Sequence, residues 1–417
     1  MHLGVDFVLA CALVAGGYHL FEWFAAYWFF RRAARTIRPL PPGVPLPPVT
    51  VLKPLKGPGI DLYDNLASFC RLDYPGYQIV FGVEDVRDPA VAVVRQIRRD
   101  FPDRDIVLSV GSMPGANRKV ANLCHMMWHA RHDILVVSDS DIRVRPDYLR
   151  VMVGPLVDPA ADPGIGLTTC LYRGLGRFGL PTVLESLFIN TDFMPMVLAA
   201  QLVDRFQYAY GASIAFRREA LEAIGGFPAL ADYLADDYHL GNRIARAGYQ
   251  LVLLPYTVET VLDSVTLGDV WRHILRWSRT YRVSRPVSWF CAVVTHAMLW
   301  GCVSLLVTGG SLLGWAAFAW ALGGRLVGLV GVLRLLGEHE TLRWLWLVPA
   351  KDLFNSLMWA LAFLGNQVRW SGQLLRVHRD GRMVPLGAVP AAAPAPAPVV
   401  VPELAPEEPE TLHAAGG

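Results

Sequence analysis

Asp139 and Asp141 stand one residue apart, with Ser140 between them, where the apolar run "ILVV" ends. If that run continues as an extended strand, side chains at i and i+2 leave it on the same side. Two carboxylates held this way repel each other unless a cation sits between them. A hard divalent ion with oxygen ligands meets that need, and it often leaves its other positions to substrate phosphates. The same spacing also occurs in surface loops, Ca²⁺ sites and phosphatases, so the pair alone leaves the chemistry open.

Two earlier apolar runs also end in polar groups: "VTVL" at Lys53 and "QIVFGV" at Glu84 and Asp85. As neighbouring strands, these runs would line one sheet edge with Lys53, Asp85 and Asp-x-Asp. An ammonium can meet phosphate, and a carboxylate can accept from a ribose hydroxyl or a uracil N–H. Charged residues at strand ends can equally mark only where strands stop. In "GANRKVANL", Asn117, Arg118 and Lys119 fall at a helix start, where free N–H groups and the dipole suit an anion. Lys119 reads equally as a solvated helix charge.

Asp236 and Asp237 open "DDYHLGNRIARAG", a helix pattern with Leu240 and Ile244 on one face and Gly248 as its stop. Asp at a helix start is favoured in itself, because it accepts from orphan N–H groups. Two in a row let Asp236 cap the helix while Asp237 faces a cleft as a general base, within reach of the proton it takes. Further on, Thr266 and Asp269 form a capping box. Arg272, Arg276 and Arg279 then fall on one stripe beside aromatic residues, a pattern suited to an interfacial helix under a membrane. Arg276 can meet charge developing on a leaving diphosphate, or lipid headgroups.

The elements that must position these residues follow from the patterning. Short β-rich runs alternate with helical patterns over residues 49–262, which predicts a mostly parallel α/β sheet with helices on both faces. Ligands of such sheets bind at the carboxyl ends of the strands. The 417-residue chain has a mean hydropathy of +0.34 and only 18% charged residues, which points to membrane segments. A net charge of +2 gives no basis for a nucleic-acid partner. Six scattered cysteines read as unpaired thiols in a reducing compartment.

The expected organisation is a transmembrane helix over 1–30 and a basic, Pro-rich linker over 31–48. A catalytic domain follows over 49–265, then an interfacial helix over 266–286. Residues 287–385 form a membrane region, and 386–417 an Ala/Pro-rich disordered tail. The membrane region holds spans at 287–308 and 312–333 and a re-entrant or interfacial pair of short helices at 344–366. Arg325, costly in lipid, is expected to face protein or headgroups. "RRAARTIR" after the first span places the catalytic domain in the cytoplasm.

In order, "VLKPLKG", "FGVEDVRDPA", "GANRKVANL", "SDSDIRV", "ADDYHLGNRIARAGY" and "HILRW" resemble the ceramide glucosyltransferase family, with its bacterial and hopanoid-associated relatives. The resemblance covers roughly residues 49–285. It implies a GT-A fold, a UDP-sugar donor (glucose or N-acetylglucosamine), inversion at the anomeric carbon, a lipid-hydroxyl acceptor such as ceramide or a hopanoid polyol, and Mg²⁺ or Mn²⁺. By resemblance, Asp85 contacts the nucleoside and Asp139 the metal–diphosphate; the Asp-x-Asp spacing, not the resemblance, adds Asp141 as second metal ligand. Asp237 is the general base, and Arg276 and Trp277 end the family's (Q/R)xxRW motif. His273 stands where the family has Gln or Arg, and some members carry Gly in place of Asp141. The rival readings are a processive polysaccharide synthase, a metal-dependent phosphotransferase, and a non-catalytic membrane protein that binds a sugar nucleotide.

Overall fold

The computed structural model describes residues 2–36, 45–158 and 161–387. Residues 37–44 of the expected linker and nearly all of the expected tail lie outside these described residues.

Eight strands build one sheet: β1 (Val49–Pro54), β2 (Tyr77–Val83), β3 (Asp105–Val110), β4 (Ile134–Ser138), β5 (Ile142–Arg143), β6 (Ile165–Leu175), β7 (Ser213–Arg217) and β8 (Gln250–Val261). Their order is β3-β2-β1-β4-β7-β6-β8-β5. The β3–β2, β2–β1, β1–β4 and β6–β8 pairs are parallel, whereas β7 runs antiparallel to both β4 and β6. The strands are apolar on both sides because both faces are covered. Along β4, Val136 enters one core with the Leu62–Cys70, Ala90–Asp100 and Tyr148–Val157 helices. Leu135 and Val137 enter the other, with the Arg118–Met126 and Asp236–Arg246 helices. This doubly covered sheet brings the ends of β1, β2 and β4 side by side.

Among the described residues, three helices are long and apolar enough to cross a membrane: Leu3–Arg35, Leu180–Val203 and Leu312–Leu335. The first does not stop at residue 30. It runs through Arg31, Arg32 and Arg35 as far as Thr36, since arginine is a good helix former. The Leu180–Val203 segment has no counterpart among the expected spans; Glu185, Asp192 and Pro195 interrupt its apolar pattern. It carries a π-turn at Ile189–Phe193. The expected 287–308 span is instead a pair, Pro286–Thr295 and Ala297–Val307, bent by 52°. The Leu312–Leu335 helix packs closely on the first helix. A Cβ at Gly324 would lie 2.4 Å from the Gly16 carbonyl oxygen, and one at Gly328 would lie 2.1 Å from that of His19. Small residues let two helix backbones approach where the hydrophobic effect gives little drive.

Arg325 faces protein. It is 2% exposed and donates to Asp352 (2.9 Å) and to the Thr191 carbonyl (2.9 Å). Asp192, in the π-turn, binds both Arg325 and Lys351. Lys351 also reaches Asp352 at 2.7 Å.

Residues 367–385 correct the expected membrane region. They form a three-stranded antiparallel sheet, β9 (Gln367–Trp370), β10 (Gln373–Val377) and β11 (Met383–Pro385). Val368, Leu375, Val377 and Met383 bury one face against Ala116 and Leu234, while Arg369 and Arg376 stay outside. The alternation has period two, as a half-buried strand requires.

Arg325→Met would leave Asp352 and Asp192 facing one cation fewer. Breaking a buried ion pair costs about 3–5 kcal/mol, so thermal unfolding in detergent is expected at a clearly lower temperature than for the parent protein.

Candidate active site

At the end of β4 the chain turns. The Ile142 N–H donates to the Asp139 carbonyl at 3.2 Å. Asp139 and Asp141 therefore sit in a turn between β4 and β5, not at i and i+2 of one extended strand. They still interact. Burial and then the Asp139 charge push the Asp141 carboxyl up to about 7. An acidic pair that repels in this way is a natural seat for a divalent ion. Among the described residues no group of three or more metal-binding side chains converges, so an ion here would take Asp139 and Asp141 and complete its shell with phosphate and water oxygens.

Lys53 lies beneath this turn. Its ammonium donates to the Asp139 carbonyl at 2.8 Å and stands 3.7 Å from the Phe69 ring centre. Burial lowers its pKa to about 7, against the opposing pull of Asp141 and Asp139. Lys53 thus braces the turn from within the core; it does not face an open phosphate site.

Lys119 occupies the centre. Asn117 caps its helix by accepting from the Val120 N–H at 3.1 Å. The Asn117 amide donates to the Tyr233 carbonyl (2.8 Å) and to Asp236 (3.2 Å), which ties this helix start to the acidic loop. Lys119 Nζ then lies 2.6 Å from Asp139 Oδ1 and 3.5 Å from Asp236 Oδ2. Burial disfavours its charge, but Asp139 and Asp236 more than offset that, and its pKa is raised.

Asp236 and Asp237 divide their work differently from the expectation. Asp236 takes Asn117 and Lys119. Asp237 accepts the backbone N–H of Gly211 (2.7 Å) and of Tyr238 (2.8 Å). A Cβ at Gly211 would come within 3.0 Å of that carboxylate, so glycine permits the close approach. The next residue, Ala212, accepts from the Asp139 N–H at 3.4 Å. Residues 211 and 212 therefore tether both acidic groups. Burial and then Asp236 push the Asp237 carboxyl up to about 6, with Lys119 opposing.

Aromatic rings wall this carboxylate. Phe193, from the π-turn, packs on Tyr172 (5.2 Å), Tyr210 (5.5 Å) and Tyr281 (6.0 Å). Burial and then the Asp237 charge raise the Tyr281 pKa. The wall thus joins the acidic cluster to the apolar Leu180–Val203 segment.

The Leu267–Ser284 helix begins with the expected capping box of Thr266 and Asp269. Burial lowers the pKa of Arg276, against the pull of Glu185, Tyr281, Asp236 and Asp139. Its guanidinium lies 5.7 Å from the Trp370 ring centre. Trp277 instead packs among Phe188, Ile274 and Met358, a place from which it positions the helix. His273 Nδ1 pairs with the buried Glu185 at 2.8 Å, and Ser264 holds the other oxygen of that carboxylate.

Asp85 stands apart from this cluster, at the exposed end of β2. Its hydrogen bonds with Arg87 lower its pKa to about 2. The β9–β11 sheet roofs the acidic loop: the Met383 N–H donates to the Asp232 carbonyl at 2.7 Å, and the Leu234 N–H to that of Gly381 at 3.0 Å. At the other side of this roof, Lys56 donates to the Ser371 carbonyl at 2.9 Å. Gly211, Phe193, Tyr281 and Glu185 carry no sequence signal that separates them from ordinary core residues.

A sequence model of glycosyl transferase family 21 matches residues 7–383. The chain belongs to that family. Ceramide glucosyltransferase 3 of Caenorhabditis elegans is 29% identical over 233 residues, which cover 56% of this chain and 50% of that protein. Ceramide glucosyltransferase 1 of the same nematode is 26% identical over 330 residues, which cover 79% of this chain and 66% of that protein. The chain therefore spans between half and two thirds of these relatives. The mannosyltransferase PcManGT from Pyrobaculum calidifontis, solved in complex with GDP-Man and Mn²⁺, has a similar fold. The TM-score is 0.51 at 21% identity, over 86% of this chain and 99% of that one. The α/β arrangement is the GT-A fold that family 21 membership leads one to expect.

The cluster yields a paired prediction. Lys119→Met removes a charge that favours ionised Asp237, so, with Asp237 as the base proposed below, the acidic limb of the pH–rate profile should move up from about 6. Asp236→Asn removes a repelling charge and should move the same limb down. Initial rates measured across roughly pH 4.5–8 check both directions.

Proposed function

We propose that this chain is a membrane-bound, inverting, UDP-sugar-dependent glycosyltransferase that moves glucose or N-acetylglucosamine to the hydroxyl of a lipid such as ceramide or a hopanoid polyol. The observation that carries this reading is the meeting of two environments at Asp237. On one side lie Lys119, Asp139 and Asp236; on the other, the aromatic wall built on an apolar segment. A sugar nucleotide suits the first environment, and an amphipathic alcohol suits the second.

In this reading Asp237 takes the proton of the acceptor hydroxyl. Its two backbone hydrogen bonds fix the carboxylate, and its raised pKa makes it a stronger base while leaving it ionised at neutral pH. The hydroxyl attacks the anomeric carbon from the face opposite the diphosphate, which inverts that centre and needs no nucleophile from the protein. Asp85 lies at the sheet edge where it would meet ribose or uracil once Arg87 moves. Arg276 meets the negative charge that develops on the departing diphosphate. Mg²⁺ or Mn²⁺ held by Asp139 and Asp141 would neutralise that diphosphate as a Lewis acid. Lys119 would then exchange its Asp139 contact for phosphate oxygens. Trp277 and Lys53 act as positioning residues.

The nematode relatives, named as ceramide glucosyltransferases, and the mannosyltransferase solved with GDP-Man and Mn²⁺ support a nucleotide-sugar donor and a divalent ion. The basic segments Arg31, Arg32 and Arg35 and the arginine-rich C-terminal sheet support a cytoplasmic catalytic domain.

Purified protein given UDP-glucose or UDP-N-acetylglucosamine, Mn²⁺ and either ceramide or a hopanoid polyol should yield one glycolipid, visible by mass spectrometry, with the anomeric configuration opposite to that of the donor. Asp237→Asn is expected to lower kcat by about 10²–10⁴, the usual worth of a general base. Unchanged turnover by that variant, or retention of configuration, would contradict the proposal.

A further inference from the structure

The arginine stripe of the Leu267–Ser284 helix borders a cavity of about 440 Å³ outside the acidic cluster. Arg272, Arg276, Arg279 and Arg369 line it, together with Trp271 and Leu364, and no carboxylate does. The charges are poorly compensated. Arg272 alone has a carboxylate partner, Asp269. Arg279 donates to the Leu364 carbonyl at 3.0 Å and to that of Gln367, while its buried Nε has no partner. Arg276 faces the Trp370 ring, and Arg369 has no ion-pair partner among the described residues. Burial lowers the pKa of Arg279, and Arg282 lowers it further. Three guanidinium groups that no carboxylate touches leave N–H donors for an anion in the cavity.

The rim says which anion. Trp271 is 38% exposed and Leu364 is 68% exposed. Trp271 also packs edge-on against Phe354 of the Val348–Leu361 helix at 5.6 Å, and Leu364 follows the end of that helix. Apolar side chains that remain uncovered beside guanidinium groups match a lipid, with acyl chains outside and a phosphate within. We propose that this cavity is a binding site for the phosphate headgroup of an anionic membrane phospholipid, adjoining the sugar-transfer site at Arg276 and docking the Leu267–Ser284 helix onto the bilayer. The inference rests on the bilayer placement proposed above, but not on the identity of the sugar or of the acceptor.

Native mass spectrometry of the full-length protein in detergent tests it, with added phosphatidylglycerol or phosphatidylcholine. Phosphatidylglycerol should be retained preferentially, and Arg369→Ala should reduce its occupancy about fivefold, as expected for one basic residue at an anionic surface. Arg369→Glu should reduce it further, and neither variant should change the unfolding temperature. Equal retention of the two lipids, or indifference to both variants, overturns the proposal. So does displacement of the lipid by inorganic phosphate or by UDP, because the cavity would then serve free phosphate or the donor. Transfer assays in phosphatidylcholine nanodiscs run in parallel, so a protein that transfers sugar without preferring phosphatidylglycerol refutes this site alone.

Discussion

An ammonium held among carboxylates organises this molecule. Lys119 spans Asp139 and Asp236, and those two residues are distant in sequence: the end of β4 and the start of the Asp236–Arg246 helix. Without a cation between them, the acidic groups would drive these elements apart, since like charges at short range in a poorly solvated site repel strongly. Lys53 repeats the device one layer deeper, where it grips the carbonyl of Asp139 rather than its carboxylate. The turn is thus fixed from below by one lysine and neutralised from the side by another. The backbone of Gly211 and Ala212 completes the frame by holding Asp237 and Asp139 at once. Everything that approaches the cluster, including Arg276 and the aromatic rings, meets a geometry already set.

A second charged knot lies among the apolar helices. Asp192 belongs to the π-turn that also carries Phe193, and it is bound by Arg325 and Lys351. π-turns insert a residue into a helix and recur at functional sites. Here the turn lets one segment face two ways, with Asp192 toward the buried cations and Phe193 toward Tyr172, Tyr210 and Tyr281. The apolar helices and the α/β domain are therefore one mechanical unit. A shift of the Leu312–Leu335 helix would be felt at the rings beside Asp237.

How much of this is legible from residue types depends on whether the signal is local. Strand ends at Lys53, Asp85 and Asp139 follow from apolar runs, and the capping box at Thr266 and Asp269 from spacing alone. The conformation of residues 139–141 does not follow, because an extended strand and a tight turn both place acidic residues at a strand end; only the Ile142 to Asp139 hydrogen bond distinguishes them. The division of labour between Asp236 and Asp237 escapes a local reading for a tertiary reason. Asn117 and Lys119, distant in sequence, claim the first carboxylate, which leaves the second to Gly211. Glu185 is invisible, since a lone acid in "TVLESLF" shows nothing of the His273 and Ser264 that bury it. The C-terminal sheet is hidden by its own arginines. Read for charge, "QVRWSGQLLRV" is a basic flank; read for period two, Val368, Leu375 and Val377 face one way.

That sheet alters how the site meets water. It rests on the acidic loop through Asp232 and Leu234, reaches Lys56 through Ser371, and sets Trp370 beside Arg276. The sheet therefore covers the acidic loop, and the aromatic wall joins the cluster to the apolar segment. In the proposed reaction water is the competing acceptor, smaller than any lipid and present in vast excess. A carboxylate with a raised pKa would activate water as readily as an alcohol if both could reach it. In the proposed reaction, the lipid that occupies the aromatic side would also displace water from Asp237. Gly211, which holds the carboxylate, and Tyr281, which couples to it, belong to the same surroundings that raise its pKa.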